Sequence, residues 1–352
     1  MGVSIDQLAD LMLFTRTKYR RNAWTDLTGD LQKHFAMPQI LKPKKVKMRA
    51  GPTITFNAIT SDSGSAREVD LYETDSINVS DAGIQGSIGW KNMTANYAMD
   101  QREVDVNDAD AIVDIVNVKR WRCFTSYARL FEQRWWGKPN DSADSKIPYG
   151  LFYWLVKSAT EGFYGGAASG FPDGPGNISP TTYARWKNWG GTYGVVSDDD
   201  ALAKMRKAYF WTSFESPIPH PDQGYGRTDC EIFTVWDVLE TMRRMLKAQN
   251  ENLGRDLSTI HNNIFFYSNP VHWVPYLEPT NTADIETLTG EDPIIGINWK
   301  WFRPVFQRGW FMKEGRPTPV ANMHNVVAVH IDTMMNFECT NRREAAWILY
   351  KA

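Results

Sequence analysis

Side-chain catalysis needs a nucleophile beside a base, two carboxylates at a working distance, or clustered metal ligands. The six histidines, His34, His220, His261, His272, His324 and His330, are scattered. None has the His-x-x-x-His or His-x-His spacing that sets two imidazoles on one metal. No Gly-x-Ser-x-Gly elbow is present to expose a serine nucleophile. Cys123, Cys230 and Cys339 are widely spaced and odd in number. They build neither a disulfide framework nor a metal knuckle, and they fit a reducing compartment. Cys123 falls in the apolar sector of a long helical pattern, which predicts a buried thiol. Acidic pairs such as Glu103/Asp105 and Glu231/Asp237 exist, but glycosidase carboxylates are defined by separation in space, which sequence spacing does not supply. Asp198, Asp199 and Asp200 have the look of a metal cluster; at a helix start they read as capping and dipole residues. The loop Gly165 to Pro180 (GGAASGFPDGPGNISP) lacks the Gly-Lys-Ser/Thr ending and the dinucleotide glycine spacing of a phosphate cradle, and reads as a mobile loop. No catalytic residue, cofactor or metal is expected.

What remains is charge and aromatic content. The formal net charge is −2, so any nucleic-acid contact must come from a local basic face. The candidate is Arg120, Arg122 and Arg129 along the long helix, with Arg20 and Arg21 near the start; Lys45, Lys47 and Arg49, alternating along one strand-like stretch, read instead as a strand edge that rests on a neighbour or is guarded by charge against edge pairing. The 15 Trp, 14 Tyr and 17 Phe supply contact area of the kind found in interfaces, or sugar-binding platforms. Trp186 and Trp189, presented together with Tyr183 and Arg185 in TTYARWKNW, are the clearest such cluster. The opening MGVSIDQLADLMLF lacks the basic start and apolar core of a signal peptide. No apolar run approaches the roughly 20 residues of a transmembrane helix, and Asp6 stands where a myristoylation signal needs Ser or Thr.

These residues hang on one dominant element. Asn107 can cap a helix, and apolar residues follow at helical spacing: Ile112, Val113, Val116, Cys123, Phe124, Tyr127, Leu130, Phe131 and Trp135. Gly137 and Pro139 stop it. About 29 residues at ~1.5 Å each give a rod of roughly 43 Å, a spine to which sheets attach. Before it, Ser4-Ile5-Asp6-Gln7 opens a short helix by a capping box. From Lys44 the period changes to two, with Val46 and Met48 set against Lys45, Lys47 and Arg49, then Ile54 and Phe56 after the Gly51-Pro52 turn. Strand-like pieces at Val69–Tyr72 and Ile77–Val79 interrupt a polar tip, and Trp90 to Val104 returns as strand. A two-stranded ribbon of this length cannot bury a core alone and must rest on a neighbour. Farther on, Pro148 to Phe163 reads as helix and turn. Ser197 to Thr212 reads as a helix with Leu202, Met205, Tyr209 and Phe210 inward, and Phe233–Leu253 as a second, closed by Gly254. Strands are expected at Ile264–Tyr267, Val271–Val274, Ile294–Phe306 and Val326–Phe337. Helices and strands mix without βαβ alternation, an α+β class; at 352 residues two domains, or one with long excursions, are expected.

In this order the parts resemble a tailed-bacteriophage major capsid protein of the Hong Kong 97-type fold, over roughly residues 44 to 340. Ala50-Gly51 and Ile54-Thr55-Phe56 are similar to the base of that family's extended loop. Trp90-Lys91 and YAMDQREVDVN resemble its return strand into the spine helix. The segments GG…TTYARWKNW, DDDALAKMRKAYFWTSF, IFTVWDVLETM and FFYSNPVHWVPYLEP are similar to elements of its axial domain. The resemblance implies an N-terminal arm (1–43), an extended β-ribbon loop (44–104), a spine helix in a peripheral domain (105–160), an axial domain (161–315) and a C-terminal strand returning to the peripheral domain (316–352). It implies a shell subunit, not an enzyme, forming hexamers and pentamers of an icosahedral head, assembled in host cytoplasm and located in the virion. Lys45, Lys47, Arg49, Trp90, Arg102, Glu103, Trp186 and Trp189 would then serve subunit interfaces. Arg20, Arg21, Arg120, Arg122 and Arg129 would face packaged double-stranded DNA without base specificity. A portal protein and a possible decoration protein are implied partners. The first 43 residues carry no sustained heptads, so a separate scaffolding protein is expected. The family's Lys–Asn crosslink does not carry over, because its residues have no placeable counterparts. A carbohydrate-binding or carbohydrate-active protein using the Trp/Tyr surface is the alternative, and predicts convergent carboxylates in a groove.

Overall fold

The structure, a computed structural model, describes residues 47–60, 64, 66–71, 74, 83–100, 109–214, 230–250, 264–278, 291–321 and 323–352, with the side chains of 109–115 and 247–250 outside that description. The expectations for the Ser4–Gln7 cap, Arg20, Arg21, Lys45, Arg102, Glu103, the Asn107 cap and Gly254 fall outside the described residues.

The spine helix, α1, runs Ala109–Trp136. Its buried stripe is Cys123, Tyr127, Phe131, Trp135 and Trp136, the spacing of one helical face. Phe131 packs on Phe306 and Phe337, and Trp135 on Trp299, Phe302 and Phe337, at centroid separations of 5.0–6.2 Å. Phe302, Phe306 and Phe337 belong to a sheet of β1 (Lys47–Arg49), β4 (Lys91–Asp100), β11 (Phe302–Gln307), β12 (Lys313–Glu314), β13 (Thr318–Pro319) and β14 (Val326–Cys339), organised on the fourteen-residue β14. β4 pairs antiparallel with it from Lys91↔Met335 to Asp100↔Val326.

A second sheet has the order β5-β6-β15-β10-β7-β9-β8. Its strands are β5 (Gly162–Gly165), β6 (Asn188–Tyr193), β7 (Cys230–Thr234), β8 (Ile264–Phe266), β9 (Asn269–Trp273), β10 (Ile294–Asn298) and β15 (Ala346–Lys351). Its helices are α3 (Ala203–Trp211) and α4 (Trp236–Asn250). The short α2 (Leu151–Trp154) is wholly buried below the end of the spine. Gly150 permits this approach, since a Cβ there would lie 2.2 Å from the Arg134 carbonyl oxygen.

Several expectations are corrected. Ile294–Phe306 is two strands in different sheets, because Trp299–Trp301 turns the chain from one core to the other. Residues 346–351, for which no strand was expected, form β15 and pair with β10 and β6 of the second sheet. The expected axial segment ending at 315 therefore contributes β11 and β12 to the spine sheet. Phe233 and Thr234 are strand, and the helix begins at Trp236. Phe210 points outward, 59% exposed, while Ala208 takes the buried position. Val69 to Leu71 is not strand. The glycine-proline loop is not a loose excursion: Ala168, Phe171, Pro175, Gly176 and Ile178 are buried, and its backbone receives hydrogen bonds from the core.

Among the described residues the ribbon consists of β2 (Thr53–Ala58) paired with β3 (Ile84–Gly89), while β1 and β4 join the spine sheet. The ribbon's base does not await a neighbour for burial. Ile54, Phe56 and Ile88 are buried, with Phe56 stacked on Trp186 at 5.9 Å and edge-on to Trp154 at 6.1 Å.

Candidate functional site

Asp198 and Asp200, the acidic residues at the helix start, are structurally engaged. Asp200 accepts from the Gly194 and Val195 backbone amides at 2.7 and 2.9 Å and pairs with Lys204 at 2.7 Å. The Lys204 contact and those amides hold its carboxyl at about 2. Asp198 pairs with Arg206, and Ser197 Oγ accepts from the Asp200 amide at 3.2 Å as the cap. The aspartates therefore fasten a turn onto α3. Among the described residues no three His, Cys, Asp or Glu side chains come together as a metal site. Cys123, Cys230 and Cys339 are buried, and burial pushes the Cys339 thiol up to about 12, far from a reactive thiolate.

The strand of alternating cations is inverted relative to its pattern. Met48 faces outward at 56% exposure, while Lys47 and Arg49 turn in to Glu338, whose side chain is fully buried. Arg49 Nη2 lies 2.9 Å and Lys47 Nζ 3.5 Å from Glu338 Oε1. A buried carboxylate without cations costs more than an exposed methionine gains by burial, so the ion pairs set the strand's facing. Burial lowers the Lys47 pKa although Glu338 opposes the shift.

Arg120, Arg122 and Arg129 do not form one face. At about 100° per residue Arg120 and Arg122 stand some 200° apart, while Arg122 and Arg129 nearly coincide. Arg120 donates to Glu314 Oε2 at 2.6 Å, and Tyr97 donates its hydroxyl to Oε1 at 2.7 Å. Burial, with Glu314 adding to it, pushes the Tyr97 hydroxyl up to about 12. Arg122 is exposed and Arg129 half-buried.

Of the expected interface tryptophans, Trp186 and Trp189 lie in the chain's own core and Trp90 is half-buried. Trp186, 3% exposed, donates its indole N–H to the Pro175 carbonyl at 2.9 Å. Trp189 packs edge-on to Phe163 at 5.1 Å. Trp90 donates to the Gly51 carbonyl at 2.9 Å, joining the two roots of the ribbon. Seven tryptophans (135, 136, 154, 186, 189, 299 and 347) are buried among the described residues, so much of the aromatic content is core rather than sugar platform.

Sequence reading did not find Arg342, which sits on α5 (Arg342–Ala345) where the chain crosses from the first sheet to the second. It is 1% exposed and donates to three backbone carbonyls and a side-chain amide. Its Nε donates to Trp154 O at 2.8 Å, Nη1 to Trp186 O at 2.7 Å, and Nη2 to Gly166 O and Asn188 Oδ1, both at 2.9 Å. Burial brings its pKa down to about 10, so it stays charged at neutral pH. Asn188 completes the junction, exchanging hydrogen bonds with both backbone groups of Val156. An arginine in a short polar turn carries no spacing signal, so nothing in the sequence marked it.

Ile59 and the described stretch 66–71 are exposed. Beside the root lies a cleft of about 320 Å³ bordered by Ile59, Arg185, Phe214, Trp301 and Arg343. Basic, apolar and extended surfaces of this kind suit contact with another macromolecule better than turnover of a small substrate.

No family model matches the chain, and no curated protein matches its sequence. Solved structures do match. The capsid asymmetric unit of cyanophage A-1(L) aligns with a TM-score of 0.60 at 12% identity, over 96% of this chain and 98% of that one. The capsid of the native GTA particle gives 0.57 at 14% identity over 96% and 97%, and that of the empty GTA particle 0.58 at 14% over the same shares. The chain has the Hong Kong 97-type fold of phage capsid subunits, from the ribbon through the spine helix to the second sheet.

Proposed function

We propose that this chain is the major capsid protein of a tailed phage, a non-enzymatic subunit that self-assembles into the hexamers and pentamers of an icosahedral head around double-stranded DNA. The observation that carries the reading is a fold likeness that spans 96% of this chain and 97–98% of the matched capsid chains. The interior placement of the tryptophans and the engagement of Asp198 and Asp200 in a helix cap weigh against the carbohydrate alternative. The exposed loop is the clasp that reaches a neighbour, and Lys45, Arg102 and Glu103 remain candidates for the same contacts. Lys47, Arg49, Trp90, Trp186 and Trp189 serve by holding the loop's root rigid. Of the inner-face set, Arg122 and Arg129 share a side of the spine and, with Arg20 and Arg21, are the candidates for sequence-blind phosphate contact. A separate scaffolding protein, a portal protein and a possible decoration protein are the further partners this reading implies, with assembly in the host cytoplasm. Expression of the chain followed by sedimentation and negative-stain microscopy tests it. Capsomers, tubes or closed shells are expected; a monomer at every protein and salt concentration would overturn it.

A further inference from the structure

Two arginines share the cleft beside the ribbon's base, and neither makes an ion pair among the described residues. Arg343, half-buried, lies 4.1 Å from the Phe163 ring centroid and 4.7 Å from that of Phe214. Rings attract a guanidinium but give its N–H groups no oxygen acceptor. Its buried Nε accordingly has no hydrogen-bond partner among the described residues. Arg185 is exposed on the rim of the same cleft. Burial first, then the Arg185 charge, depresses the Arg343 pKa. Two like charges are thus held close together with no anion between them, a repulsion the fold by itself leaves standing.

The rest of the lining is rich in donors and poor in acceptors. Glu344 is its one carboxylate among the described residues, and it accepts the Trp301 indole N–H at 2.8 Å. Its pull on Arg343 is smaller than the opposing effects of burial and Arg185. Asn341 Oδ1 is taken by the Arg343 and Glu344 backbone amides at 3.2 and 3.4 Å, and Asn57 Oδ1 by Gln85 at 3.4 Å. What these two side chains have left to offer is their NH2 groups, beside the Thr60 and Thr340 hydroxyls. At about 320 Å³ the cleft stands at the lower end of the roughly 300–1,000 Å³ of small-ligand sites.

We propose that the Arg185–Arg343 cleft binds a phosphate group, carried by free phosphate or by a small phosphorylated molecule such as a nucleotide. Arg343 would donate from within the cleft and Arg185 from its rim, and the amide and hydroxyl donors would take the remaining oxygens. A phosphate presents enough acceptor oxygens and charge for two guanidinium forks, whereas a carboxylate has two oxygens and one charge. The site belongs to a single subunit, so it stands whether or not the chain forms shells.

Equilibrium dialysis of the full chain against radiolabelled inorganic phosphate at low ionic strength tests the assignment. Saturable uptake is expected with a Kd on the order of 0.1–1 mM, the range of a few charge-assisted contacts in a solvent-open cleft. Arg185→Gln, at an exposed position, and Arg343→Gln should each weaken it about tenfold or more, with native circular dichroism. Should Arg343→Gln fail to fold, Arg185→Gln decides alone. Glu344→Gln keeps an acceptor for Trp301 and removes the competing charge, so it should tighten binding about threefold. Arg316→Gln, exposed and off the cleft, should change nothing. No saturation up to about 10 mM phosphate, an unweakened Arg185→Gln protein, or an equal loss in Arg316→Gln overturns the proposal. Competition with adenosine monophosphate identifies the carrier. Displacement of the label about tenfold more effective than by phosphate itself assigns the site to a nucleotide, and displacement no more effective assigns it to free phosphate.

Discussion

Replacing Arg342 with methionine keeps most of the side chain's length and removes the guanidinium that joins four segments. Asn188 Oδ1 would still accept from the Val156 amide, but the buried carbonyls of Trp154 and Trp186 and the half-buried one of Gly166 would each lose a charged donor. A buried acceptor left unmatched costs about 1–3 kcal/mol, so the two buried ones cost roughly 2–6 kcal/mol and the third adds a smaller amount. Against this, these four acceptors are neutral carbonyl and amide oxygens, and removing the guanidinium recovers several kcal/mol of desolvation. The net loss is then on the order of 3 kcal/mol, a large share of the ~5–15 kcal/mol available to a domain. Urea unfolding of an assembly-incompetent subunit, lacking residues 62–82, measures it without lattice contacts. Arg342→Lys should recover only part of the loss, because an ammonium cannot span acceptors set out for a planar fork. If Arg342→Met unfolds within about 0.5 kcal/mol of its parent, the junction is not held by these hydrogen bonds and the reasoning fails.

The deletion of 62–82 itself should leave a folded, soluble subunit that does not form shells, because the β2–β3 base and its buried Phe56 lie outside the cut; particles of normal size by sedimentation would remove the clasp role. Asp200→Asn should destabilise the chain at neutral pH. The folded carboxyl titrates at about 2 against an ordinary 3.8, so its contribution is present above about 3.8 and fades as pH falls through about 2. Thermal melts of the two proteins should therefore converge at the acid end, and a gap that persists unchanged there would count against the assignment.

The sequence by itself determined the elements that a local period can encode. The spine helix, the buried stripe from Cys123 to Trp136, the Ile54–Phe56 alternation and most of β14 were legible because each depends on neighbours within a turn or a pleat. Its order of segments also carried the fold class, confirmed by structures that share only 12–14% of its residues. The tertiary structure decided what depends on partners far along the chain. Ile294–Phe306 reads as one apolar strand, yet two packed layers compete for it and Trp299–Trp301 divides it between them. Lys47 and Arg49 read as an outer edge, yet Glu338, some 290 residues away, needs both cations and turns Met48 to solvent. Trp186 and Trp189 read as surface for a neighbour, and were claimed instead by the core beside Phe56 and Phe163. Arg342 had no pattern at all, because its four acceptors lie on segments separated by 154 to 188 positions. Hydrophobic period reports that a side chain will be covered; only the packed chain settles what covers it, since desolvation and hydrogen-bond satisfaction act through space and not along the sequence.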